Sequence, residues 1–94
     1  MNEDEKHRLD LTEQITLGLD AEAFLNSKVG QYMQGRAEET AMEAMQSLKT
    51  VDPNDSKQVQ ALQNAVFRAE SFMLWINQCM EEGRMAEKSL IGDE

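Results

Sequence analysis

The chain has 94 residues, enough for one small domain spanning residues 1 to 94. Its 18 acidic and 9 basic residues give a net charge of −9, and the acidic residues are spread along the whole chain. We expect no direct binding to nucleic acid or to an anionic membrane, because phosphate groups would repel such a chain, whereas a basic partner is permitted.

The N-terminal third predicts short helical segments. The first eight residues have little apolar surface and are expected to be frayed. The stretch "DLTEQITLG" predicts a short helix that ends at Gly18, since glycine suits the left-handed residue that closes many helices. Asp20 resembles the N-cap of a second short helix over about 21 to 26, and Ser27 resembles the next N-cap.

Two longer helices come next, over about 28 to 50 and 56 to 82. The only proline, Pro53, lies in "TVDPNDS", so the first of these should end by about Val51 and the second should be capped by Asp55 or Ser56. Runs of β-branched residues with period-two alternation are absent from the sequence, so no sheet is expected. The predicted fold is all-α: an antiparallel helical hairpin with one or two short N-terminal helices packed on it.

Spacings of three and four residues predict the seam of this hairpin. On the second helix, an a/d pattern typical of coiled coils persists for three heptads, and the first helix offers a matching stripe with alanine at its centre. The predicted seam residues are Val29, Met33, Ala37, Ala41, Ala44, Leu48, Val59, Leu62, Val66, Ala69, Met73, Ile76 and Met80.

The run "FMLWI" at residues 72 to 76 has more bulky apolar residues than one seam can cover. At 100° per residue, Phe67, Leu74 and Trp75 fall on a second face that points away from the hairpin partner. Burying each of them would contribute roughly 1.5 to 3 kcal/mol. Either the N-terminal segment covers this face in a compact monomer, or another subunit or a partner protein does.

The triplet "RAE" occurs twice, at 36–38 and 68–70. In an antiparallel pair both arginines fall on one flank and both glutamates on the other, so Arg36 and Arg68 need other anions. The alternatives are a local salt-bridge network, through Glu39 or Glu43, and contacts to an anion or a partner.

Residue patterns that carry chemistry are missing from the sequence. The single histidine, His7, and the single cysteine, Cys79, exclude a histidine metal cluster, an internal disulfide framework and a cysteine zinc site within one chain. Serine and lysine side chains lack a nearby histidine base, and no glycine-rich phosphate loop is present. We therefore expect neither enzymatic activity nor a cofactor. A signal peptide is not expected from the charged start "MNEDEKHR".

Two stretches, "DAEAFLNSKVGQYMQGRAEE" and "VDPNDSKQVQALQNAVFRAESFMLWINQCMEEG", resemble a group of small, mostly uncharacterised all-helical proteins of tailed bacteriophages. The shared features are the Phe-Leu pair, the Val-Gly helix start, the Asp-Pro loop and "RAE" near an aromatic cluster, within residues 20 to 83. Lys28 stands where proline often follows the serine. The resemblance implies a phage protein of the host cytoplasm or the virion, and it carries no functional residue over.

Two functions are predicted on this basis. The first is a non-enzymatic helical interaction protein, self-associating or docking on a larger protein, that serves as an accessory or assembly factor. The alternative is an acidic inhibitor that mimics DNA and occupies a nucleic-acid-binding or defence protein of the host.

Overall fold

A computed structural model describes residues 1 to 92 and contains three α-helices: α1 (Glu3–Asn26), α2 (Lys28–Thr50) and α3 (Ser56–Gly92). No strand occurs within these described residues. The predicted all-α class is confirmed. The predicted limits of α2 agree with the structure, whereas α3 continues ten residues beyond the predicted end at 82.

The prediction of short, broken N-terminal helices is wrong, because α1 is one helix of 24 residues. It begins at Glu3, where the Asn2 side chain accepts a hydrogen bond of 2.8 Å from the backbone N–H of Glu5, so helix stands where a frayed end was expected. Gly18 and Asp20 lie inside this helix. Gly18 does not end it because no residue among those described has a positive φ, and a left-handed glycine cap requires one.

The junction between α1 and α2 consists of one non-helical residue, Ser27. Its backbone N–H and its hydroxyl both donate to the carbonyl of Phe24, at 3.0 and 2.6 Å. The hydroxyl oxygen also accepts from the N–H of Gly30 at 2.9 Å. Ser27 thus closes α1 and caps α2, which confirms the predicted N-cap and lets the chain bend without a longer loop.

The loop between α2 and α3 has the hydrogen bonds expected of an Asp-Pro turn. Val51 has extended backbone angles and ends α2. The Asp55 carboxylate accepts from the N–H of Gln58 at 3.1 Å, and the carboxylate of Asp52 accepts from the N–H of Asn54 at 2.9 Å. Of the two predicted caps for α3, Asp55 is the one that forms.

Helix α3 contacts both other helices, and α1 and α2 contact each other less. Along α1, the contacts on α3 move backwards in sequence, from Gly18 near Gly83 to Phe24 near Phe72, so α1 and α3 are antiparallel. The 37 residues of α3 span about 55 Å at 1.5 Å per residue, which matches the long dimension of the 59 × 29 × 20 Å molecule. The radius of gyration is 18.8 Å, against about 12 Å for a compact domain of this length.

The interior of this elongated molecule is thin and contains mainly small side chains. The buried apolar residues are Leu11, Ala21, Ala41, Ala44, Ala69 and Ala86, and no large side chain among those described is fully buried. Half-buried residues of the predicted seam are Ala37, Leu48, Val59, Leu62, Val66, Met73, Ile76 and Met80.

Val29 and Met33 depart from the predicted seam, since they are 63% and 44% exposed. Gly30 is buried in their place, and Gln34 lines a small cleft with Phe72 and Ile76 of α3. The junction at Ser27 explains the shift. It brings the Phe24 carbonyl against Gly30, and this contact turns the first two turns of α2 by about one residue position.

Ala41 tests the packing of α2. We expect Ala41→Leu to lower the free energy of unfolding by about 1 to 3 kcal/mol, because the added carbons have no space at a position that is 5% exposed. Urea denaturation followed by circular dichroism measures this change. Ala61→Leu is the control, since Ala61 is an exposed helical residue. Equal stabilities of the two variants would show that Ala41 does not face a neighbouring helix.

Candidate interaction surface

Three large apolar side chains project from one side of α3, and nothing within the described residues covers them. Phe67 is 70% exposed, Leu74 is 53% exposed and Trp75 is 66% exposed. Together with Ser71 they form a surface that we call the outer face of α3. The sequence predicted that the hairpin partner would leave the three apolar residues uncovered, and left open whether the N-terminal segment covers them.

The N-terminal segment does not cover the outer face. The Phe24 ring meets the ring of Phe72 edge to face, with centroids 6.5 Å apart. The Cys79 thiol donates to the carbonyl of Leu17 at 3.4 Å. Phe72 and Cys79 lie on a different side of α3 from Trp75, at 100° per residue. The compact-monomer alternative is therefore wrong.

Ser71 is the residue of this face that sequence reasoning missed. It is 8% exposed although it lies on the side of α3 away from both other helices. Residues four positions apart are neighbours on a helix surface, so Phe67 and Trp75 flank it on either side and shield it. The signal was present in the sequence as a small residue midway between two aromatic ones. The result is a shallow notch between two rings.

The outer face is nearly free of charge. From Gln58 to Met80 the only charged residues of α3 are Arg68 and Glu70. This stretch of 23 residues contrasts with a chain in which 29% of residues are charged. The exposed polar residues around Phe67 and Trp75 are amides, such as Asn64 and Gln78. Docking on this face would therefore desolvate few charges.

Arg36 and Arg68 are exposed, and neither forms an ion pair within residues 1 to 92. The expected local salt-bridge network is therefore not observed around them. Glu39 and Glu43, its expected acceptors, instead line an open groove on α2 beside Met42. Both guanidinium groups can contact an anion or an aromatic ring of a partner.

Metal sites and membrane-spanning helices are both absent from the described part of the chain. No group of three or more His, Cys, Asp or Glu side chains is placed to hold a metal ion in residues 1 to 92. No helix there is long and apolar enough to cross a bilayer. Comparison with protein-family models, with curated proteins and with solved structures found no match to this chain.

Proposed function

We propose that this protein is a non-enzymatic helical interaction protein that associates through the outer face of α3 and serves as an accessory or assembly factor. The observation that supports it is an uncharged face carrying Phe67, Leu74 and Trp75, all more than half exposed. Exposed apolar patches of this kind usually mark interaction surfaces. Trp and Tyr side chains also contribute most of the binding energy in many interfaces.

The predicted antiparallel hairpin of α2 and α3 is the scaffold in this proposal. Its alanine-rich contact, with Ala41, Ala44 and Ala69 buried, holds α3 along its length. The aromatic side chains are then held on a helix rather than on a loop, so little backbone ordering is needed when a partner binds. The resemblance to tailed-phage proteins favours a role in the host cytoplasm or in the virion.

The experiment that tests this function is affinity capture with matched variants. Tagged wild-type protein, Leu74→Glu and Leu17→Glu are used as baits in an extract of infected cells. Leu17 is 57% exposed on α1 and Leu74 is 53% exposed on α3, so the two variants make the same change at similar exposure. A protein retained by wild type and Leu17→Glu but lost with Leu74→Glu supports the proposal. Equal capture by all three contradicts it.

Salt dependence separates this proposal from the DNA-mimic alternative. Exposed charges are screened over about 8 Å at physiological ionic strength. Binding through the outer face should therefore persist as sodium chloride is raised, whereas binding of the −9 chain to a basic nucleic-acid site should weaken. Titration of the captured partner at increasing salt measures this. A steep loss of affinity would favour the mimic.

A further inference from the structure

We infer that the outer face of α3 binds a second copy of this chain, packed antiparallel about a two-fold axis that passes near Ser71. The inference rests on the proposed function and names the partner. Four observations carry it: the exposed area of the single chain, the charge of the face, the order of residues around Ser71 and the unpaired Arg68.

The exposed area of one chain is too large for a compact monomer. The chain exposes 7282 Å². A folded monomer of 10.7 kDa exposes about 5,500 Å² on average. The excess of about 1,800 Å² is more than twice the roughly 800 Å² that each partner contributes to a standard interface. A dimer has enough area available for a stable contact.

The charge of the face fits a second copy better than a basic partner. Two copies with a net charge of −9 repel each other except where their contact surfaces carry few charges. The outer face is such a surface, with Arg68 and Glu70 as its only charges between Gln58 and Met80. A basic partner would instead be drawn to carboxylates, most of which lie outside this stretch.

The order of residues around Ser71 is self-complementary. A two-fold axis places each contact twice, so the pattern must read the same way from both ends. In an antiparallel pair centred on Ser71, Phe67 lies beside Leu74 of the second copy on one flank. Arg68 lies beside Trp75 of the second copy on the other flank. Ser71 is small, which lets the two helix axes approach at the crossing point.

This register also gives Arg68 a partner. Arg68 has no ion pair within the described residues, and its guanidinium would lie over the indole of Trp75 of the second copy. A cation over the face of tryptophan is attracted by the ring electrons. The arginine would then supply the positive charge at an interface between two acidic chains.

The first test measures mass in solution by sedimentation equilibrium over a wide range of protein concentration. Wild type and Leu17→Glu should sediment at twice 10.7 kDa. Leu74→Glu should remain helical by circular dichroism and sediment as a monomer. Two leucines leave the contact at once, so its dissociation constant should rise about 100-fold or more. Dimerisation should also tighten as salt is added, because repulsion between like charges is screened.

A monomeric wild type at every concentration would overturn the inference, as would a Leu74→Glu variant that still dimerises. The proposed function is judged separately by capture from the extract. A monomeric wild type that still retains a partner through Leu74 would refute the second copy and leave that function standing.

The second test locates the axis by disulfide trapping. Cys79→Ser removes the only native thiol. On that background, Ser71→Cys should oxidise to a covalent dimer, because residues at a two-fold axis face each other within the range of a disulfide. Asn64→Cys should cross-link to Gln78→Cys when the two variants are mixed, and neither should cross-link to itself. Self-linking at both 64 and 78 would mean a parallel pair, and no linkage at Ser71 would exclude the axis there.

Discussion

Gly30→Ala should destabilise the protein by about 3 kcal/mol or more, although alanine is normally preferred to glycine in a helix by about 1 kcal/mol. A Cβ atom at residue 30 would overlap the backbone carbonyl of Phe24. That carbonyl is fixed by two hydrogen bonds from Ser27, so it cannot swing aside as a flexible side chain would. The clash must open the junction between α1 and α2. Urea denaturation followed by circular dichroism measures the loss.

Gly35→Ala is the matched control for this prediction. Gly35 lies in α2, five residues further on, and a Cβ there would meet nothing within 4 Å. We expect this variant to be more stable than wild type by about 0.5 to 1 kcal/mol, because the alanine restricts the unfolded chain. Stabilisation by both substitutions would show that α1 does not bend against Gly30.

Gly83→Val should separate α1 from α3 and lower the free energy of unfolding by about 2 to 4 kcal/mol. A Cβ at residue 83 would lie 3.0 Å from the carbonyl oxygen of Gln14 and 3.0 Å from the Cα of Gly18. Both atoms belong to the α1 backbone, so the helix itself has to move. Cys79, whose thiol reaches the Leu17 carbonyl, should then react faster with a thiol reagent. Denaturation and thiol labelling are measured on the same samples.

Gly92→Val controls for the change from glycine to valine within α3, since a Cβ at Gly92 would meet nothing within 4 Å. It should leave both stability and thiol reactivity close to those of wild type. If Gly83→Val behaved in the same way, the close approach of Gly18 and Gly83 would be refuted.

Both predictions concern glycines whose importance the sequence could not reveal. Gly18 reads as the end of a helix because glycine often adopts the left-handed cap conformation. The structure uses its missing side chain instead, for a close approach to Gly83. A single sequence does not distinguish these two uses of glycine, because the second depends on a residue 65 positions away.

The sequence by itself determined the features that depend on local interactions. Pro53 and Asp55 set the loop and the start of α3, and Ser27 set the start of α2, because caps and turns involve residues within four positions of each other. The three-four spacing identified most of the residues that lie inside. It also showed that Phe67, Leu74 and Trp75 form a face of their own, since helix geometry alone fixes that relation.

Only the tertiary structure decided where α1 runs. Contacts with α3 stabilise one helix through Gly18, although a mid-helix glycine costs about 1 kcal/mol. The bend at Ser27 buries Gly30 and leaves Val29 and Met33 exposed, and that orientation depends on a carbonyl in the preceding helix. Because α1 packs on Phe72 and Cys79, it cannot reach the other side of α3. The exposure of Trp75 thus results from the packing of a distant segment, which no local pattern in the sequence records.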